Sequence, residues 1–166
     1  FTFTFVGNID VETFKPLVEQ YLASLKKKNR KENWKDVGLG VAEGSYTTHY
    51  RKEMQDPKTS VYMIYNGAME YNLYNEVYMD VLSDVLDIVY TKSIREEQGG
   101  TYGVGVMGTT MNRPNDAFMF YTVFDTNDEV YATLIDIAKA GLKDIAENGP
   151  RQEDLSKVLE NKLKKR

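Results

Sequence analysis

Cysteine is absent from the 166 residues, and histidine occurs once, at His49. Thiol nucleophiles, CxxC redox pairs and cysteine-ligated zinc all require cysteine, so those chemistries fall away. Catalytic zinc usually takes two or three histidines among its three protein ligands, and only one is on offer. A Ser-His-Asp arrangement would have to run through His49 alone. The chain by itself is therefore not expected to carry a histidine- or zinc-based active site. Excess charge of one sign is also lacking: 21 basic residues against 25 acidic ones leave a net charge of −4 and no overall pull toward nucleic acid. No apolar run approaches the roughly 18–20 residues of a membrane span. The missing cysteine fits reducing and oxidising compartments equally.

What is present is ordinary for a globular protein, with 42% hydrophobic and 28% charged residues. A chain of this length is expected to bury one sizeable core. It opens on Phe1 within a strand pattern, with no initiator Met, and closes on a helical pattern at Lys164-Lys165-Arg166. The expectation is one domain over residues 1–166, a piece of a larger multi-domain protein.

Phe1, Phe3 and Phe5 alternate with Thr2 and Thr4, the pattern of a strand with one buried face. Asp10 is placed to cap a helix that carries Phe14, Leu17, Val18, Tyr21, Leu22 and Leu25; Pro16 predicts a regular start near Thr13. Residues 26–44, basic at first and then glycine-rich, read as a solvated linker. Period two returns over 45–52, and a more apolar strand follows over 59–65. A long helix from Leu73 through Arg95 stops at the glycine cap Gly99-Gly100. Strands over 101–110 and 117–124 come next, then a helix behind a capping box of Thr126 and Glu129 that ends at Gly149-Pro150, and a last helix from Gln152.

The order is β-α-β-β-α-β-β-α-α. Short connections make the strand pairs antiparallel, so the fold class is α+β, a mostly antiparallel sheet with helices packed mainly on one face. Strands 59–65 and 117–124 are apolar on both faces. The second face is expected to meet further helices or a neighbouring domain.

Gly103, Gly105 and Gly108 spell GxGxxG, with Asp125 seventeen residues beyond. A dinucleotide fingerprint must leave a strand and open a helix, whereas these glycines sit in a strand followed by another strand. Their expected role is to leave room for another backbone. His49 reads as an ordinary strand histidine. Arg95 and Tyr102 flank the Gly99-Gly100 turn, which would fold them toward one sheet edge. A guanidinium fork and a phenolic O–H form a donor pair suited to a peptide carbonyl or a developing oxyanion. Taken alone, an Arg in a last helical turn is more often a surface residue that complements the helix dipole.

The stretch from Arg95 to Val104, with Glu96, Gly99, Gly100 and Tyr102, resembles the Arg-Glu-…-Gly-Gly-x-Tyr segment in C-terminal-type domains of the insulinase-like (M16, pitrilysin) zinc metallopeptidases. Phe3 to Asp10, running into Leu17–Leu25, resembles that family's strand-to-helix segment. The resemblance covers nearly the whole chain. It implies a domain of the LuxS/MPP-like metallohydrolase type that lacks the zinc-binding HxxEH and closes over a peptide or polypeptide substrate. By the same resemblance, Arg95 would hold a substrate carbonyl and Tyr102 the substrate or tetrahedral oxyanion. Gly99 and Gly100 would aim both. Zinc would be bound by an HxxEH-bearing catalytic domain on the same chain or a partner subunit, with none in this piece. The family also contains members without zinc chemistry, so a catalytically inactive peptide-binding or assembly module is the alternative. Bacterial relatives suggest the periplasm or cell envelope.

Overall fold

A computed structural model describes residues 2–26, 31, 33, 35, 37, 38, 40, 43–96, 98, 99 and 101–164. The chain divides into two compact units, 1–36 and 37–166. Most of the predicted basic linker, and Phe1 and Gly100, lie outside the described residues.

In the first unit, Asp10 caps helix α1 (Val11–Val18), its carboxylate accepting from the Thr13 amide at 2.8 Å. Hydrogen bonding from Thr13, by its side chain and by its backbone amide, holds Asp10 below the usual carboxylate range. The helix starts at Val11, two residues before the expected Thr13, and Pro16 lies inside it. The chain continues as a π-helical turn over Glu19–Ala23. The rings of Phe5 and Phe14 meet edge to face, with centroids 4.8 Å apart. Residues 2–6 are not a strand. Their alternation specifies two faces, but a strand also needs a partner strand, and among the described residues the segment belongs to no sheet.

The second unit is built on a three-stranded antiparallel sheet in the order β1-β3-β2, with β1 at Thr59–Ala68, β2 at Val104–Met111 and β3 at Ala117–Thr126. The expected α+β class is therefore borne out. Residues 45–52, predicted as a strand, have no regular structure, and Tyr46 and Tyr50 stand exposed. The cause is the same as for residues 2–6: period two without a partner strand.

Register fixes two very different faces. On one, Val61, Phe124 and Val104 form a row, then Met63, Thr122 and Val106, then Tyr65, Phe120 and Gly108. This face packs against α2 (Leu73–Tyr90), which Asn72 caps by accepting from the Asn75 amide at 2.8 Å. Met79, Leu86 and Tyr90 recur at helical spacing and are buried. Helices α3 (Tyr131–Asn148) and α4 (Gln152–Lys164) pack on α2, and Leu134 and Ala138 of α3 complete the core. Lys162 ties α4 to α2 through Asp80 at 2.6 Å and Asp84 at 2.8 Å. Burial opposes its charge, yet the two carboxylates outweigh that and raise its pKa.

The predicted capping box before α3 is corrected. Thr126 remains in β3, and the oxygen that serves the helix start is Oδ1 of Asn127, which accepts from the amides of Glu129 at 2.9 Å and Val130 at 3.2 Å. The strand runs two residues longer than its apolar pattern, moving the cap along by one. Gly149, at φ 76°, ends α3 as expected.

Gly108 shows how tightly α2 lies on β2. A Cβ there would sit 2.8 Å from Met79 Cε and Ser83 Oγ and 3.1 Å from the Met79 carbonyl. Overpacking of this kind costs about 1–3 kcal/mol. Gly108→Ala is thus expected to lower the free energy of unfolding, measured by urea denaturation, by that amount, and an unchanged midpoint would show that α2 moves freely off the sheet.

Candidate functional site

The connection from α2 to β2 carries both predicted donors. Beyond Tyr90 the helix widens into a π-helical turn over Thr91–Glu96. Ile94 is fully buried and fixes that turn to the core, while the adjacent Arg95 projects into solvent. Gly99 adopts φ 59°, a left-handed conformation that favours glycine, and its amide donates to the Arg95 carbonyl at 3.1 Å. The glycine stop expected at 99–100 is therefore present at Gly99.

Tyr102 is held by its neighbours. The Thr101 hydroxyl donates to the Gly103 carbonyl at 2.8 Å and accepts from the Gly103 amide at 3.2 Å. This small loop brackets Tyr102 and leaves its side chain 98% exposed. Neither the Arg95 guanidinium nor the Tyr102 hydroxyl has a hydrogen-bond partner among the described residues. Backbone bonds thus fix the stems of two donors whose heads have no partner among the described residues. The sequence pattern pointed to Arg95, Gly99 and Tyr102 but not to Thr101, whose role is visible only once its hydroxyl closes on Gly103.

A second polar group lies at the same end of the sheet, and nothing in the sequence joins its members. Asp125 of β3 accepts from the Ser60 hydroxyl of β1 and from Lys58 Nζ at 2.9 Å. The Ser60 bond first, and then Lys58, hold Asp125 below the usual carboxylate range; Asp125 in turn raises Lys58. The Thr59 hydroxyl donates to Asp128 beside them.

The other face of the sheet is uncovered among the described residues. Tyr62, Val123 and Gly105 form one row on it, and Ile64, Tyr121 and Met107 the next. Tyr62 is 68% exposed, Ile64 58% and Met107 53%. The doubly apolar strands read from the sequence therefore have one face on helices and one apolar face exposed among the described residues.

Of the remaining candidates, His49 is exposed in a segment without regular structure. Gly103, Gly105 and Gly108 lie before and within β2 and lead to β3, so no helix N-terminus follows them to receive a pyrophosphate. Among the described residues no three His, Cys, Asp or Glu side chains are grouped to hold a metal ion. The residues present do not fit a zinc centre. No described helix is long and apolar enough to cross a membrane.

Three comparisons bear on this arrangement. The family model for the peptidase M16 inactive domain matches residues 1–162. The periplasmic protease PqqL from Escherichia coli has a similar structure: TM-score 0.68 at 19% identity, covering 96% of this chain and 18% of that one. A mutant of the ferredoxin protease FusC, solved in complex with Arabidopsis ferredoxin, gives a TM-score of 0.58 at 13% identity, covering 92% of this chain and 16% of that one. The chain thus spans under a fifth of the length of either protein. No curated protein sequence matches it.

Proposed function

The chain belongs to the peptidase M16 family, as one of its inactive domains, and from that premise we propose that it binds substrate for a zinc endopeptidase whose metal lies on another domain. In this reading the parent is a larger multi-domain protein, and a catalytic domain bearing HxxEH sits on the same chain or a partner subunit. This piece is inert alone. The observation that carries the proposal is the pair of unspent donors on one short connection, Arg95 and a 98% exposed Tyr102 bracketed by the Thr101–Gly103 bonds.

Beyond what Arg95 offers to the helix dipole, exposed donors without partners among the described residues add little to folding, and in this reading they bond outside the chain. Arg95 presents a planar fork that suits a substrate carbonyl or carboxylate. Tyr102 offers a single O–H to the oxyanion that forms when water adds to the scissile carbonyl. Gly99, with its neighbour Gly100, would aim the two. The open apolar sheet face would line the substrate side. A periplasmic or envelope setting for the parent is supported by PqqL alone.

The test is hydrolysis of a fluorogenic peptide by the full-length protein. Loss of one hydrogen bond from a charged donor corresponds to about tenfold or more in affinity. Arg95→Ala is expected to lower kcat/KM by about that factor with unchanged thermal stability. Undiminished kcat/KM would remove Arg95 from the site. Tight peptide binding by the wild type without any turnover would favour an inactive binding or assembly module instead.

A further inference from the structure

The seven methionines of the chain differ sharply in their surroundings. Met79 is buried against Gly108, Met63 and Met69 pack on the core, and Met111 and Met119 are half-buried. Two are exposed, Met54 at 50% and Met107 at 53%. Met54 lies in a segment without regular structure. Met107 is held in β2, directly opposite Tyr121 of β3 on the open face of the sheet, and the Tyr121 hydroxyl donates to its sulfur at 2.9 Å. Met54 has no such donor among the described residues.

A thioether sulfur is only a weak acceptor, so the phenol gains little from this bond as the protein stands. Addition of one oxygen to the sulfur changes that. A sulfoxide is polar, and its oxygen is a far stronger acceptor, one bond beyond the sulfur and within reach of the same O–H. The donor that the thioether uses poorly is therefore well matched to the oxidised side chain. Exposure to solvent, the other condition for oxidation, is met as well.

We propose that Met107 is an oxidation site for hydroperoxides, at which Tyr121 assists the step and holds the product. The sulfur lone pair attacks one oxygen of the peroxide, and the O–O bond breaks. The departing oxygen takes a proton from the Tyr121 hydroxyl, which regains one from the oxygen now on sulfur. One thioether and one hydroperoxide thus give one sulfoxide and one alcohol, or water where the oxidant is hydrogen peroxide; sulfur is oxidised and the O–O bond is reduced. The new S=O stands in the row of Ile64, Tyr121 and Met107, beside that of Tyr62 and Val123, and puts a polar group on an apolar face. The site itself is independent of the substrate-binding reading above. Its effect rests on that reading and deepens it by naming a regulation: oxidation of Met107 weakens the hold of the open face on peptide.

The full-length protein is treated with hydrogen peroxide at neutral pH, and peptide mass spectrometry follows the gain of oxygen at each methionine. Met107 is expected to react about fivefold faster than Met54, the worth of one net hydrogen bond. Tyr121→Phe removes the O–H alone and brings the two rates together at an unchanged melting temperature. A wild-type ratio of one or below overturns the proposal whether or not the variant folds, and so does a folded Tyr121→Phe variant that keeps the wild-type ratio. Affinity for the fluorogenic peptide, measured on the same samples, reads the regulation. Oxidised wild type is expected to bind about fivefold more weakly, because the sulfoxide loses water when peptide covers it, and to recover on incubation with a methionine sulfoxide reductase. Met107→Leu, compared with its own untreated sample, should lose no affinity. An equal loss in that variant assigns the effect to another methionine and overturns the regulation. Rapid oxidation of Met107 with unchanged peptide affinity keeps the site and takes the open face off the substrate side, so the two failures are told apart.

Discussion

Tyr102→Phe in the full-length protein is expected to lower kcat for peptide hydrolysis by about 10²–10³-fold, the scale for losing one donor to a tetrahedral oxyanion. The substitution removes one oxygen. The ring is 98% exposed and the hydroxyl has no partner among the described residues, so neither packing nor an internal hydrogen bond is lost. Melting temperature should therefore be unchanged, and the variant separates chemistry from folding cleanly. KM should move little, because a donor aimed at the oxyanion is used more fully in the transition state than with bound substrate. Wild-type turnover in the Phe variant would end the catalytic reading of this loop. A rise in KM at constant kcat would move Tyr102 from the oxyanion to ground-state substrate binding.

The bracket around Tyr102 makes a further distinction. Thr101 both donates to and accepts from Gly103, and this holds the backbone from which the Tyr102 side chain projects. On the other side, Gly99 turns the chain and closes its amide on the Arg95 carbonyl, which ties the Arg95 backbone to the turn. In the proposed reading, positioning comes from local backbone geometry, while neither side-chain head has a partner among the described residues. This explains how a chain with one exposed histidine and no grouped metal ligands among its described residues can still serve a hydrolytic site: it would contribute electrophilic donors and leave the nucleophile to another domain.

Much of this was legible in the sequence because it depends on local rules. The glycine stop after Arg95, the Asp10 cap, the apolar strands 59–65 and 117–124 and the glycine at the end of α3 all follow from short-range chemistry. The errors have a common source in longer-range pairing. Residues 2–6 and 45–52 carry good alternation, but a strand exists only when another backbone bonds to it, and period two does not name that backbone. Asn127 displaced Thr126 as the cap because β3 continues until its register with Thr59 is complete, a constraint that lies 67 residues away. The Lys58–Ser60–Asp125 group was invisible for the same reason. At the candidate site, the residue types of Arg95 and Tyr102 were readable, whereas Thr101 was not, since a threonine hydroxyl bonding two residues ahead has no signature distinct from any other strand-entry threonine.

Tyr90→Ala is expected to destabilise the second unit by about 3–5 kcal/mol, the range for removing a buried aromatic ring. Tyr90 is 2% exposed within the core cluster, against the Phe120 and Phe124 side of the sheet. Its ring lies so close to α3 that a Cβ on Gly141 would be 3.0 Å from Tyr90 Cε1, and its hydroxyl donates to the Ala138 carbonyl at 2.8 Å. Truncation therefore opens a cavity where α2, α3 and the sheet converge, just before the turn that carries Arg95. Against a typical total of about 5–15 kcal/mol, such a loss is a large fraction of stability. Urea denaturation checks it; a change below about 1 kcal/mol would mean that α3 collapses into the gap. Tyr90→Phe isolates the hydroxyl and should cost only about 1 kcal/mol. Alkaline pH provides an independent reading. Burial raises the pKa of Tyr90 above its ordinary value near 10, with Tyr65 adding to the shift. A raised folded-state pKa favours the protonated phenol, so this contribution is intact below the unfolded-state pKa and is lost progressively as pH climbs above about 10. The Phe variant has no such proton to lose. Its stability should fall less steeply above pH 10 than that of the wild type, and parallel alkaline limbs would place the ionising phenol outside the core.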